Sequence, residues 1–271
     1  MVRKLPGGVG VFAGSQASFA IPLGRRYHQI VFEYSGVTLA QMTNIECRLN
    51  GVTFQKFRTG TELELISKFY GLPVEAGRMV IDFERMGLLN SGNRSLTCVD
   101  TTKPAQGGPN VNPQTFEIVM DIAAAASAPA FTVYGHTSPG VPGQSDPRIF
   151  KKVRAHSTSV SSTGTFEISD VVRSNVISGI MFDTSTVDFD NFELEINGLK
   201  VIDAPKAQLN HMQDRGVYVP QSGYFLFDFS YGGFGDRILN AAGSQDFRVR
   251  LNATSTGALP YSVFYLGPLE R

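Results

Sequence analysis

Four histidines, two cysteines and one dense acidic segment are the parts of this 271-residue chain that could do chemistry by themselves. The segment DTSTVDFD carries Asp183, Asp188 and Asp190, and carboxylates spaced around a turn can hold Ca2+. It lacks the mid-loop glycine and terminal glutamate of an EF-hand loop, and a polar loop between two strands is the preferred reading, with calcium the alternative. His28, His136, His156 and His211 are scattered, with no H-x-H or H-x-x-x-H pair, which argues against a cupin-type transition-metal site. Cys47 and Cys98 are too few for a disulfide framework or a four-cysteine zinc site. Glu62 and Glu64 resemble a glycosidase pair, but residues two apart on a helix point to different faces and cannot flank one bond. No G-x-S-x-G, P-loop or C-x-x-C motif occurs. The expectation is therefore a protein that is not an enzyme and requires no cofactor, with Ca2+ the one ion suggested.

The elements that carry these residues are mostly strands. Segments 18–23, 28–35, 45–50, 52–57, 79–84, 116–122 and 130–134 alternate, or are rich in β-branched and aromatic residues. Asn50-Gly51 sits between two such runs and predicts a type I′ hairpin, and Asn197-Gly198 is its counterpart in the second half. Thr61 and Glu64 match a capping box, which predicts a short helix ending near Gly71. A second helix is expected from about Asp203 to Gly216, with Pro205 in its first turn. The aromatics, 20 Phe and 9 Tyr with no Trp, are assigned to cores, and alternation in YFLFDF should bury one face of a strand. Residues 135–148 (GHTSPGVPGQSDPR) form a Gly/Pro-rich linker between units 1–134 and 149–271, and 100–113 is a long loop.

Charge narrows the partners. Lys plus Arg equals Asp plus Glu at 24 each, which argues against direct, sequence-specific nucleic-acid binding through bulk positive charge. Charged residues are 18% of the chain, against about 25% for an average soluble domain. Large permanent interfaces are depleted in charge, so this deficit suits a chain much of whose surface is covered by neighbours. The basic start of the chain is broken by Pro6, Gly7, Gly8 and Gly10, so neither a leader nor a membrane span is expected.

The two units repeat each other. Residues 45–54 (IECRLNGVTF) align with 192–201 (FELEINGLKV), and 79–87 (MVIDFERMG) with 225–233 (FLFDFSYGG). Residues 114–121 (QTFEIVMD) align with 245–252 (QDFRVRLN), and Pro129 and Tyr134 with Pro260 and Tyr265. One insertion of about fifteen residues between positions 85 and 113 reconciles every offset. Eight short antiparallel strands and one helix per unit predict an all-β chain of two tandem jelly rolls.

The succession RKLP, GVTLAQMTNIECRLNG, GTELELISKFYGLP, MVIDFERMG, then KKVRAHSTSV, VYVPQSGYFLFDF and VFYLGPLE resembles the major capsid proteins of corticovirus-type phages. The resemblance spans nearly the whole chain and implies a double jelly roll with both barrels upright in an icosahedral shell. It implies a homotrimer forming a pseudo-hexameric capsomer, neighbouring trimers, penton or spike and virion membrane proteins as partners, and an internal lipid membrane below. It places the chain in the virion, made in the host cytoplasm and not secreted. It also adds an association with calcium without choosing its ligands.

Arg3 and Lys4, and Lys151, Lys152 and Arg154, occupy matching places at the start of each unit. If that end faces a bilayer, these five cations meet anionic headgroups. The loops 86–93 and 230–243 are then expected at the opposite, outer end. The alternative function is a tandem jelly-roll receptor- or glycan-binding protein, such as a spike, adhesin or lectin; the absence of Trp platforms weighs against it.

Overall fold

The computed structural model describes all residues except Ser174, Gly216, Val217, Phe234, Asp236, Arg237, Glu270 and Arg271. The first unit holds β1 (Val2–Lys4), β2 (Gln16–Ala20), β3 (Arg26–Ser35), β4 (Met42–Leu49), β5 (Val52–Thr59) and α1 (Gly60–Phe69). It continues with β6 (Arg78–Asp82), α2 (Ser91–Ser95), β7 (Val99–Asp100), β8 (Phe116–Ile122) and β9 (Ala130–Ser138). The second unit holds β10 (Phe150–Val160), β11 (Gly164–Ile168), β12 (Val176–Asp183), β13 (Phe189–Ile196), β14 (Leu199–Pro205) and α3 (Lys206–Asp214). It closes with β15 (Tyr224–Asp228), β16 (Leu239–Asn240), β17 (Phe247–Ala253) and β18 (Gly257–Gly267). Among the described residues no helix is long and apolar enough to cross a membrane.

Each unit is a jelly roll. In the first, β1-β9-β3-β6 form one sheet and β5-β4-β8-β2 the other; in the second the sheets are β15-β12-β18-β10 and β11-β17-β13-β14. Strand alternation supplies the cores. On β2, Ala17 and Phe19 point inward, as do Ile45, Cys47 and Leu49 on β4.

The two hairpins repeat in detail. Asn50 and Gly51 have φ of 51° and 77°, and Asn197 and Gly198 have 50° and 78°. Both central residues of a type I′ turn need this left-handed region, which Asn tolerates and Gly prefers. Asn50 Oδ1 accepts from the Gln114 and Thr115 amides at 2.6 and 3.1 Å. Asn197 Oδ1 accepts from the Gln245 and Asp246 amides at 2.8 and 3.1 Å. The same side chain thus ties the same hairpin to the same following strand in both halves.

Several expectations are corrected. The cap of α1 is Thr59, not Thr61: Thr59 Oγ1 accepts from the Glu62 amide at 3.2 Å, while Glu64 pairs with Lys68 at 3.3 Å. The sequence TGTELE offers a Thr three residues before a Glu twice, and burial of Glu62 selects the earlier register. Strand β9 runs to Ser138, into the predicted linker, because Arg26–Ser35 pairs with it along its whole length. Gly135 is a strand residue there: a Cβ would lie 3.1 Å from the Tyr27 ring. Helix α3 follows Pro205, but its expected end at Gly216 lies outside the described residues. Finally, β15 is buried on both faces rather than one.

Candidate functional site: the seam between the barrels

Strands β10 and β5 run parallel and pair at Val153 and Gln55, so β15-β12-β18-β10 continues into β5-β4-β8-β2 as one sheet across both barrels. Alternate residues of the second barrel then serve different cores. Ile180 and Phe182, Phe225 and Phe227, and Val263 and Tyr265 pack in the second core. Their neighbours Met181, Leu226 and Phe264 pack with the first. A period of two places successive side chains on opposite faces, so this sheet is a wall shared by two cores.

Polar contacts pin the same seam. Gln55 Nε2 donates to Lys151 O at 3.0 Å, and Ser262 Oγ donates to Glu62 Oε1 at 2.7 Å. Tyr218 stacks on Phe69 with ring centroids 5.0 Å apart, and its hydroxyl donates to Ser230 O at 3.0 Å. Tyr70 OH donates to Asp228 Oδ2 at 2.8 Å and Arg85 Nη2 to Ser230 Oγ at 2.6 Å. Burial raises the Asp228 carboxyl, against the Ser230 amide, the Tyr70 hydroxyl and Arg85. Burial also pushes the Lys151 ammonium down, against the pull of Asp82, Asp228 and Cys47. The linker is fixed as well: Arg148 donates to Asp100 O and Thr102 O at 2.8 and 2.9 Å, and the Val141 amide to Asp100 Oδ2 at 2.8 Å.

Both barrels stand the same way up. Val2, His136, Gln29 and Asp82 lie in one row across the first sheet, so the loop after β6 leaves from the end where the chain starts. In the second sheet, Gly179 pairs with both Asp228 and Phe264, and Phe264 with Val153, which puts the end of β15 beside the early part of β10. The two loops touch, the Leu89 amide donating to Gly233 O at 2.8 Å. Loop 86–93 and the described residues of 230–243 therefore sit at the same end as the start of each unit, not the opposite end; Phe234, Asp236 and Arg237 lie outside the described residues. Antiparallel pairing requires it, because a strand that runs against its neighbour finishes where that neighbour begins.

The five cations separate in the structure. Arg3 and Lys4 are exposed on the edge strand β1. Lys151 Nζ instead donates to Glu84 O at 3.1 Å within the seam, and Lys152 is buried with Nζ on Asn175 Oδ1 at 3.2 Å. Arg154 is half-buried on β10. Lys151 and Lys152 are unavailable to a lipid surface because β10 is an interior strand of the joined sheet, not an edge.

The acidic segment does not converge either. Asp183 accepts from Ser185 Oγ and Tyr224 OH at 2.6 and 3.3 Å. Asp188 pairs with Lys206, and Asp190 accepts from Asn252 Nδ2 at 2.7 Å. Three carboxylates held by separate sets of partners do not make the calcium site suggested for Asp183, Asp188 and Asp190. Among the described residues, the group that does converge is His28, Glu84 and Cys98, whose ligand atoms all lie within 4.8 Å of one another. No spacing signal marks it, because its members are 56 and 14 residues apart along the chain.

Known proteins share this fold. The family model for the N-terminal domain of viral coat protein P2 matches residues 2–138, and that for its C-terminal domain matches 150–269. The chain belongs to the viral coat protein P2 family. The major capsid protein P2 of Pseudoalteromonas phage PM2 is 26% identical over 263 residues, covering 96% of this chain and 94% of that protein. The crystal structure of the PM2 protein superposes with a TM-score of 0.88 at 24% identity, covering 100% of this chain and 98% of that one. A chain from the atomic structure of Sulfolobus turreted icosahedral virus gives a TM-score of 0.68 at 16% identity, covering 99% and 90%. The PBCV-1 virus capsid gives 0.67 at 10%, covering 98% and 92%. The fold of this chain is thus the double jelly roll, and its role is that of a major capsid protein. The receptor- or glycan-binding alternative finds no support in these matches.

Proposed function

We propose that three copies of this chain associate into a six-barrel tile that covers an icosahedral virion above its lipid membrane. The observation that carries the proposal is the seam: two similar barrels, the same way up, are held side by side by one sheet and a shared core. Threefold symmetry acting on such a rigid pair creates a ring of six near-equivalent barrels, and further contacts between rings close a shell. A flexible linker would leave the sixfold outline undefined; the Arg148 and Asp100 contacts hold it in place. Neighbouring trimers, penton or spike proteins and virion membrane proteins are the remaining partners. As a shell component, the chain has no enzymatic role.

The end that carries the chain start and the two long loops is the one that meets the membrane. It presents Arg3 and Lys4 together with the exposed apolar residues Met1, Val2, Leu23, Leu89 and Leu96. Cationic groups beside exposed apolar side chains suit a lipid headgroup surface.

Native mass spectrometry of the purified chain with negative-stain imaging tests the tile. Three chain masses and a six-lobed outline are expected. A monomer at micromolar concentration, or a three-lobed outline, overturns the proposal.

A further inference from the structure

His28 lies on β3, Glu84 just beyond β6, and Cys98 just before β7. Their facing atoms are close: His28 Nδ1 is 2.6 Å from Glu84 Oε1, Cys98 Sγ is 3.2 Å from His28 Nδ1, and Cys98 Sγ is 3.7 Å from Glu84 Oε1. The remaining polar atoms of the imidazole and carboxylate are held from behind. His28 Nε2 meets Ser138 Oγ at 2.8 Å, and Glu84 Oε2 accepts from Arg94 Nε at 2.9 Å. Outer partners of this kind fix ligand orientation in metal sites. The cluster is shielded, with Cys98 6% exposed and the His28 and Glu84 side chains 26% and 14%. One side opens on a cleft of about 370 Å³ lined by Met1, Val2, His136 and Ser138, with room for a water as fourth ligand.

We propose that His28, Glu84 and Cys98 form a site for a borderline-soft divalent cation of the Zn2+ class. One imidazole nitrogen, one thiolate and one carboxylate oxygen match that class and not the all-oxygen preference of Ca2+ or Mg2+. Tetrahedral Zn2+ with bonds of about 2.0–2.3 Å separates its ligand atoms by roughly 3.3–3.7 Å. The Cys98–Glu84 separation already fits, and His28 and Glu84 must open by less than about 1 Å, the fourth position being taken by water. Binding exchanges the Cys98 thiol proton, released to solvent, for a metal–thiolate bond, so uptake strengthens as pH rises. The site joins β3 to the loop that carries α2 and touches the second barrel through Leu89 and Arg85. A bound cation therefore clamps the end of the seam that carries the chain start.

The test is a Co2+ titration of the full chain, stripped with a chelator and kept reduced. One equivalent should give tetrahedral visible bands and a thiolate-to-cobalt charge-transfer band in the near ultraviolet, both removed by Zn2+. Zn2+ should raise Tm, and Ca2+ at equimolar concentration should not displace Co2+ from the charge-transfer band. Cys98→Ser should abolish the charge-transfer band and weaken Zn2+ binding more than about 100-fold, and Ser138→Ala should weaken it about tenfold. Asp183→Asn should leave both unchanged. Absence of a charge-transfer band in the wild-type chain at one equivalent overturns the proposal without recourse to any variant. So does Zn2+ affinity that survives Cys98→Ser in a protein with wild-type circular dichroism.

Discussion

Ser262→Ala is the perturbation that asks most directly whether the two barrels behave as one body. Ser262 is fully buried on β18, and its hydroxyl crosses the seam to Glu62 Oε1 at 2.7 Å. Glu62, 1% exposed, also accepts from the Arg58 amide at 2.7 Å and from Arg58 Nη2 at 3.3 Å. Removing the hydroxyl deletes one hydrogen bond to a charged group where no water can replace it, a loss of about 1.5–3 kcal/mol. At about 2 kcal/mol, amides that exchange only by global unfolding speed up about 30-fold. Tm should fall by roughly 5 °C. Native-state hydrogen exchange read by mass spectrometry should show the same acceleration in the core amides of β4 in the first barrel and β13 in the second. Pairing the change with Glu62→Gln should give a coupling energy of about 1–2 kcal/mol, since the two groups touch. The reasoning fails if acceleration is confined to β10 through β18 while β4 keeps its protection. Two separate thermal transitions in the wild-type chain would refute it equally.

Two further predictions concern the linker and the end that carries the chain start. Burial raises the Asp100 carboxyl, but the Thr102 hydroxyl, the Val141 and Thr102 amides and Arg148 outweigh it and hold the group below its ordinary 3.8. The stability it lends is therefore present above that value and lost as pH falls through the lower folded value. Asp100→Asn should flatten this acid limb of the stability–pH curve and make 139–149 more sensitive to limited proteolysis; an unchanged acid limb and unchanged cleavage would contradict the assignment. If the end that carries the chain start meets lipid as proposed, the double change Arg3→Gln with Lys4→Gln should weaken binding to anionic vesicles about 30-fold at roughly 1 kcal/mol per charge, with little effect on neutral vesicles. Equal flotation of wild type and variant on anionic vesicles would show that β1 does not face lipid.

Much of the fold was legible because it is written in short-range chemistry and in a repeat. Asn50-Gly51 and Asn197-Gly198 specify their turns through φ alone, so no distant contact is needed to predict them. The helix cap shows where local information becomes ambiguous. Thr59 and Thr61 each precede a glutamate by three residues, and only the burial of Glu62 against Ser262, 200 residues away, chooses between them. The candidate sites were legible only in part for the same reason. Asp183, Asp188 and Asp190 are close in sequence, yet β12 and β13 and their neighbours aim them at different partners. His28, Glu84 and Cys98 are far apart in sequence, yet strand register brings them together.

By itself, then, the sequence determined an all-β chain, its duplication, its two hairpins and a deficit of charge that called for covered walls. The tertiary structure decided which walls those are. Met181, Leu226 and Phe264 alternate with residues of the second core as any strand would, and nothing local says that their outward face meets another barrel. Lys151 and Lys152 look like surface cations until β10 is placed in the interior of a sheet shared by both units. Turn and cap preferences act over a few residues, whereas the identity of a strand's neighbours is set by contacts hundreds of residues apart. That is why the elements could be predicted from the chain, and their exposure could not.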